Sequence, residues 1–409
     1  MSAIDVLIAE MCPGGVECRT LGEVGQFTRG NGLQKKDFVE EGIGCIHYGQ
    51  IYTYYGTSAT TTKSFVSAAL AARLRTAAPG DLVVTTTSEN IEDVGKAVAW
   101  LGDSEIAIGG HSCAYSHRLD PMYVAYCFQT GAFHRQKTKL VKGTKVKELS
   151  GPDLARITIP VPPIEIQREI TSILTKMESL KAELEAELEA RRRQYVHYRD
   201  YLLGFARGAK VRWVPMGEVG EFIRGRRFTK EDVVPNGLGS IHYGEIYTRY
   251  GVYAAEALSH VRPELGPYLR FAVTGDIVIA AVGETVEDVC KAVAWLGEDD
   301  VAIHDDCFAY RHSLNPKFVS YFFQTGAFHA DKNKYVARAK VKRISGESLA
   351  KIKIPVPPPE EQARVVEILD KFDALVNDIV IGLPAEITAR RQQYEYYRDR
   401  LLTFDLAAG

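Results

Sequence analysis

Cysteine is sparse in this 409-residue chain, with seven residues, an odd number, and no C-x-x-C pair. That argues against a disulfide framework or a zinc knuckle and suits a reducing compartment. No run approaches the ~18 apolar residues that a membrane-spanning helix needs. The start, MSAIDVLIAEMCPGG, sets Asp5 and Glu10 around a short apolar run where a secretory signal would be basic, so a cytoplasmic protein with no membrane partner is expected. Excess charge is missing too: 50 basic against 52 acidic residues leave a net −2, which speaks against a free-standing, non-specific nucleic-acid binder. Catalytic signatures are lacking. No Glu has a Lys two residues on, no G-x-G-x-x-G occurs, Gly95 and Lys96 are followed by Ala97 rather than Ser or Thr, and neither N-P-P-Y nor D-P-P-Y is present. His111 with His117, and His304 with His312, lack metal-ligand spacing and a nearby cysteine pair. An independent enzyme is not expected, and neither is a metal or a cofactor.

What is present is an ordinary globular composition, 46% hydrophobic and 25% charged, written twice. LGEVGQF from Leu21 returns as MGEVGEF from Met216, IHYGQIYTYYG from Ile46 as IHYGEIYTRYG from Ile241, and KAVAWLG from Lys96 unchanged from Lys291, all at an offset of 195. QTGAFH from Gln129 recurs intact from Gln324, and LSGPDLARITIPVPPIEIQ ending at Gln167 matches ISGESLAKIKIPVPPPEEQ ending at Gln362. ARRRQYVHYRDYLL from Ala190 then aligns with ARRQQYEYYRDRLL from Ala389 at an offset of 199, so copy two carries four extra residues, about one helical turn. A long internal repeat is the strongest constraint a single sequence offers.

Each copy reads as a globule of mixed pattern, a proline-rich stop and a helix. DLVVTTTS at Asp81 and DIVIAAVG at Asp276 are β-rich runs ending in small polar residues, while PMYVAYCFQTG at Pro121 and PKFVSYFFQTG at Pro316 start with Pro and end with Gly as helices do. The mixture indicates an α+β class. Beyond the stops, Ile173, Met177, Leu180, Leu184 and Leu188 step by three or four, matched by Ile368, Phe372, Leu375 and Ile379 in copy two, the seam of helices that pair. A helix over residues 165–203 would span about 58 Å, too long to pack wholly on one small globule. AELEAELE from Ala182 is a tandem four-residue unit; copy two has Gly382 and Pro384 in its place, which should kink or restart the helix. The IPVPP stops read as extended hinges.

This layout resembles the specificity subunit of type I restriction-modification systems. The resemblance covers nearly the whole chain and rests on the duplicated globule, the IPVPPIEIQ and IPVPPPEEQ stops, the ARRRQYVHYRD and ARRQQYEYYRD endings and the AELEAELE unit. It implies two similar mixed α/β target-recognition domains separated by two long antiparallel paired helices, with an internal pseudo-twofold. The boundaries so expected are an N-terminal segment 1–17, a first recognition domain 18–160, a helical spacer 161–207, a second recognition domain 208–355 and a second spacer 356–409. It further implies a non-catalytic reader of double-stranded DNA with a split target and a fixed gap, which docks two adenine methyltransferase (modification) subunits and, in the full complex, restriction subunits.

The residues support such a reading independently. Arg135, Lys137, Lys139, Lys142, Lys145 and Lys147 cluster in copy one, and Lys332, Lys334, Arg338, Lys340, Lys342 and Arg343 in copy two. Cations so placed twice suit phosphate contacts, which set affinity and register but not sequence; the plainer account is a solvated lysine-rich loop. Base readout needs polar groups on loops, and candidates are positions where the copies diverge inside a shared framework. Ser88, Glu89 and Asn90 stand opposite Gly283, Glu284 and Thr285; Gly109, Gly110, His111 and Ser112 stand opposite His304, Asp305, Asp306 and Cys307; Gln50 and Tyr54 stand opposite Glu245 and Arg249. Ordinary drift in surface loops is the alternative. His47, Tyr48 and Tyr52 are read as a tyrosine-rich strand packing its own core rather than stacking on bases, Trp100 and Trp295 as core, and Glu92 with Asp93 as solvated strand neighbours. The competing function is a coiled-coil protein-protein scaffold whose globules hold peptides or RNA.

Overall fold

Leu82–Thr85 and Ile277–Ala280, runs rich in β-branched residues, lie at the centre of the two globules, and every residue in them is buried. In a strand successive side chains point to opposite faces. In unit 1, Leu82, Val84, Ala99 and Tyr115 accordingly face a core shared with helices, while Val83, Val98, Trp100 and Ala114 face Ile46, Ile106 and Ile108 of a second sheet. Both sheets have five strands, and unit 2 repeats the two strand orders element for element. The computed structural model describes residues 3–205, 211–337, 340–378 and 381–405. The α+β class, the internal repeat and the long helix are as expected, and Trp100 and Trp295 are buried.

Compactness does not follow chain order. One unit comprises Met1–Leu184 together with Ile387–Gly409; the other is Glu185–Glu386. The helix Ile164–Gly204 is continuous over 41 residues, giving its first half to unit 1 and its second half to unit 2. The second spacer is not one helix. Pro359–Asn377 stops, and a new helix runs Leu383–Leu401. Of the kink or restart expected at Gly382 and Pro384 the chain takes the restart, and only glycine fits there: a Cβ at Gly382 would lie 2.4 Å from the Ala374 carbonyl oxygen.

Each unit is closed by a helix that follows the other globule in sequence. In unit 1, Glu178 accepts hydrogen bonds from Thr57 Oγ1 (2.6 Å), Tyr126 Oη (3.0 Å) and Tyr394 Oη (2.9 Å). Asp399 accepts one from the Gly131 N–H (3.2 Å), at the N-terminus of the helix Gly131–Leu140, and is itself gripped by Arg398. Unit 2 repeats this with Tyr195 Oη on Asp373 (3.4 Å), Tyr321 Oη on Asp370 (2.7 Å) and the Gly326 N–H on Asp200 (3.1 Å). There Tyr198 also stacks on Phe372, so as numbers rise along one helix they fall along the other, the antiparallel sense expected.

The helix seam departs from expectation in part. Ile173 and Met177 pack on the unit 1 core and Leu188 is buried, but Leu180 (54% exposed) and Leu375 (38%) face outward, at equivalent positions of the two copies. Glu178 continues the row of four-residue steps set by Ile166, Ile170 and Leu174, and its hydrogen bonds to Thr57, Tyr126 and Tyr394 keep it turned inward. Leu184, Ile368 and Phe372 are half-buried, the deeper positions in copy two being Val365, Leu369 and Val376. Ile379 lies outside the described residues. The IPVPP stops begin as paired strands: Cys18–Thr20 pairs with Thr158–Pro160 and Arg212–Pro215 with Lys353–Val356. Buried Gln167 locks the first, donating to the Pro162 carbonyl and accepting from the Asp120 N–H; Gln362 does the same with Pro357 and Asn315.

Asp399→Ala should destabilise unit 1 by about 1 kcal/mol, the usual worth of a helix cap, read as faster amide exchange across Gly131–Leu140 with the helix Gly326–Lys332 unaffected. A second expectation concerns acid. Burial lowers His312 and His329 from the ordinary 6.5 to about 4, so the unfolded chain binds more protons than the folded one between those values. Stability is then complete above 6.5 and is lost as pH falls toward 4, by about 3 kcal/mol for His312. The urea midpoint of unit 2 should fall across that window, and fall less in His312→Gln.

Candidate nucleic-acid interface

After Leu82–Thr85 the chain leaves the sheet, and this departure builds a separate surface. Thr87–Ser88 pairs antiparallel with Lys147–Glu148, and Lys142 bridges Glu148 to close a hairpin. Gly143, at φ +88°, makes the turn; a Cβ there would lie 2.0 Å from the Val146 carbonyl oxygen. Thr86 N–H donates to the His111 carbonyl, and Thr87 Oγ1 lies 2.9 Å from His111 Nδ1. The His111 ring sits 4.9 Å from Tyr48, and Tyr52 Oη donates to the Thr87 carbonyl. In this way the turn after Ser88, the His111 turn, the segment from Tyr48 and the basic hairpin share one face. Unit 2 builds the same face from Val282–Gly283 paired with Lys342–Arg343, Ala281 N–H on the Asp306 carbonyl, and Tyr247 Oη on the Val282 carbonyl.

Two secondary-structure expectations are corrected here. The tyrosine-rich segment is a short helix, Tyr48–Thr53, because His47 Nδ1 accepts from the Gly49 N–H and the Gln50 carboxamide returns to the His47 N–H, closing a capping box. Tyr243–Thr248 repeats it. Burial depresses the pKa of both capping histidines, His47 and His242, which favours the neutral ring that this acceptor role requires. Glu92 and Asp93 lie in a turn, not a strand, with Asp93 paired to Lys96 at 2.5 Å.

The basic tract divides by burial. Lys139 and Lys145 are exposed, as is Lys142, whose ammonium meets Asp153 at 3.1 Å. The hydrogen bond from Ser150, joined by that from Lys142, holds the Asp153 carboxyl below its usual range. Lys147 Nζ folds back on the Gly143 and Thr144 carbonyls. In unit 2 Lys340 is exposed, Lys334 pairs with Asp331, Lys342 is half-buried in its strand, and Arg338 lies outside the described residues. Lys137 and Lys332 are corrections. They are 4% and 0% exposed, with Nζ donating to the Glu92 and Val94 carbonyls and to the Glu287 and Val289 carbonyls. Burial pushes the Lys137 amine down to about 8 and lowers that of Lys332. Both anchor, from beneath, the turn that follows the paired ribbon, and neither reaches a phosphate.

Several readout candidates serve the fold instead. Gln50 and Glu245 are equivalent caps whose remaining polar atoms meet Ser64 and Ser259, so both ends are engaged. Asn90 and Thr285 each bond the Asp three residues on, Asp93 and Asp288, so this divergence exchanges two side chains with one duty. Ser112 is fully buried on the Gly109 carbonyl. His304 is 9% exposed, its Nε2 on the Phe228 carbonyl and its Nδ1 receiving the Asp306 N–H. Its set with Asp305 and Asp306 gathers metal-type ligand atoms within 4.8 Å, but both ring nitrogens are already engaged. Glu89, His111, Arg249 and Glu284 are exposed, Ser88 and Asp305 half-buried, and Tyr54 is exposed with Lys63 Nζ 4.4 Å over its ring. Sequence reasoning missed Arg29 and Arg224. Each donates through Nε to the backbone of the opposite turn, at Gly110 (3.2 Å) and Asp305 (3.0 Å); their retention at the 195 offset, in QFTRG and EFIRG, was the available signal.

Fold and surface define a tandem α+β repeat in which each unit presents one basic ribbon beside one turn-rich face. The chain belongs to the type I restriction-modification specificity family: the type I restriction modification DNA specificity domain matches residues 13–191 and again 210–389. It is 34% identical over 266 residues to the EcoR124I/EcoR124II specificity subunit of Escherichia coli, covering 61% of this chain and 63% of that one, slightly under two thirds of the relative's length. It is 28% identical over 225 residues to the MpnII specificity subunit of Mycoplasma pneumoniae, covering 52% and 62%. Among solved structures, a chain from work on complex assembly and conformational transition of the type I R-M system superposes with a TM-score of 0.65 at 17% identity, covering 96% of this chain and 98% of that one. The S subunit from M. genitalium gives 0.51 at 13% identity, covering 94% and 96%.

Lys137→Met keeps the side chain's bulk but leaves the Glu92 and Val94 carbonyls without their donor. It should destabilise unit 1 by about 1–3 kcal/mol and speed amide exchange in residues 91–96, measured by hydrogen-exchange mass spectrometry.

Proposed function

We propose that this chain is the sequence-reading subunit of a type I restriction-modification complex. Each unit reads one half of a bipartite double-stranded DNA target with a fixed gap. The chain docks two methyltransferase subunits, and restriction subunits join the full complex. It performs no chemistry itself and works in the cytoplasm, a reading its seven free cysteines suit. No helix among the described residues is long and apolar enough to cross a membrane. The observation that carries this reading is the recurrence, once in each unit, of a basic hairpin hydrogen-bonded to the turns at which the two copies diverge. Cations placed this way fix a protein on the phosphates, and polar groups next to them reach base edges.

The test is to co-express the chain with the methyltransferase subunit of its own system in a methylation-free host and map modified adenines. A split motif with a constant gap is the expected outcome; an intact complex that modifies no split motif refutes the reading. Removing Ala182–Glu185, one largely exposed four-residue unit of the continuous helix, shortens it by about 6 Å against 3.4 Å per base step. Both half-sites should persist while the gap changes by roughly one or two base pairs. An unaltered gap would count against the helix as the spacer.

A further inference from the structure

Beside the paired ribbon, each unit holds a cleft lined by equivalent positions. In unit 1 it is bounded by Phe27, Arg29, Thr86, Cys113, Glu148 and Ser150, and in unit 2 by Phe222, Arg224, Ala281, Phe308, Arg343 and Ser345. The constant members are the aromatic floor, the arginine tied to the opposite turn and the serine that caps the following helix. One member reverses charge: Glu148 stands where Arg343 stands. Register confirms the equivalence, with Glu148 opposite Thr87 and Arg343 opposite Val282.

Both side chains are exposed, and among the described residues neither the Glu148 carboxylate nor the Arg343 guanidinium has a hydrogen-bond or ion-pair partner. For Glu148 this is notable physically. Lys142, Lys145 and Lys147 closely precede it in sequence, yet Lys142 pairs with Asp153 and Lys147 turns to the Gly143 and Thr144 carbonyls. Strand alternation also sends Lys147 to the face opposite Glu148. An unpaired carboxylate on a phosphate-facing ribbon repels the backbone, so it weakens binding unless it gains a donor from a base. Thr86 adds a second sign that the unit 1 cleft is incomplete: it is 6% exposed and its hydroxyl has no partner. In unit 2 the cleft is larger, about 700 Å³ against about 180 Å³, and Asp305 and Asp306 also line it.

We propose that the position held by Glu148 in unit 1 and Arg343 in unit 2 is where the two half-sites are told apart. Glu148 accepts a hydrogen bond from an exocyclic base amine in the major groove, with cytosine N4 the best match. Arg343 donates to the O6 and N7 acceptor edge of guanine. Arg29 and Arg224, common to both clefts, supply the contact that does not discriminate. The proposal rests on the DNA-reading function above and adds the residues and base edges through which it works.

The experiment maps adenine methylation in the same methylation-free host, using the full chain and its methyltransferase subunit, for wild type, Glu148→Gln, Glu148→Arg and Arg343→Gln. Wild type should modify one split motif. Glu148→Gln should relax one base position in one half-site, with discrimination there falling on the order of 10- to 100-fold. Glu148→Arg should move that position toward guanine, and Arg343→Gln should relax one position in the other half-site. The half-site not targeted reports that the chain is folded. A wild-type split motif that all three variants leave unchanged overturns this inference while the DNA-reading function stands. Uniform loss of modification in Glu148→Gln, with the complex intact and neither half-site altered, assigns Glu148 to affinity and also overturns it. A wild type that modifies no split motif removes both.

Discussion

Glu178 holds three hydroxyl groups from three separate parts of unit 1: Thr57 in the globule, Tyr126 on a helix covering the sheet, and Tyr394 on the helix that arrives from beyond the second globule. A carboxylate in a helix seam is expensive unless its lone pairs are taken up, and here each donor comes from an element that must be brought together with the others. The requirement therefore acts as a register pin. Hydrophobic packing of Ile166, Ile170 and Leu174 would tolerate sliding by a turn; hydrogen bonds to one carboxylate do not. In unit 2 the same duty is divided between Asp370 and Asp373, and burial raises the Asp373 carboxyl above its usual range. The Asp399 and Asp200 caps repeat the principle at the far end of each contact, with a backbone N–H in place of a phenol.

Once each closing helix is pinned, the rest of a unit is relieved of structural duty on one face. The ribbon Thr87–Ser88 with Lys147–Glu148 lies off the main sheets and is held by its own hairpin, by Leu149 N–H on the Thr86 carbonyl, and by the turn that Lys137 anchors. Loops so supported can change sequence without disturbing the core. The two units illustrate this: their buried strands are alike residue for residue in AVAW, while the turns around Ser88 and His111 share little with those around Gly283 and Asp306.

Much of this was legible in the sequence because the repeat separates what the fold demands from what it permits. QTGAFH and the YRD endings recur since an aspartate oxygen packs close over Gly131 and over Gly326, 3.1 Å from where a Cβ would lie; the IPVPP-x-x-x-Q pattern recurs since Gln167 and Gln362 bond across the proline segment. Errors arose where one-dimensional reasoning cannot see depth. Counting charges placed Lys137 and Lys332 with the surface cations, although two carbonyls hold each of them inside. Stepping by three or four chose Leu180 over Glu178, because periodicity assumes that the buried stripe is apolar throughout. Divergence between copies also conflated two situations: Gln50 and Glu245, or Asn90 and Thr285, differ in name but make the same bonds.

The partition of the chain into units has a consequence for biosynthesis. Every residue of Glu185–Glu386 precedes Leu383–Leu401 or overlaps its beginning, so the second globule has all its parts outside the ribosome before the first one does. Until Tyr394 and Asp399 are translated, the first globule carries a bare seam at Tyr126, Glu178 and the Gly131 helix end. Translation order and folding order are thereby reversed for the two halves: the half made first is finished last.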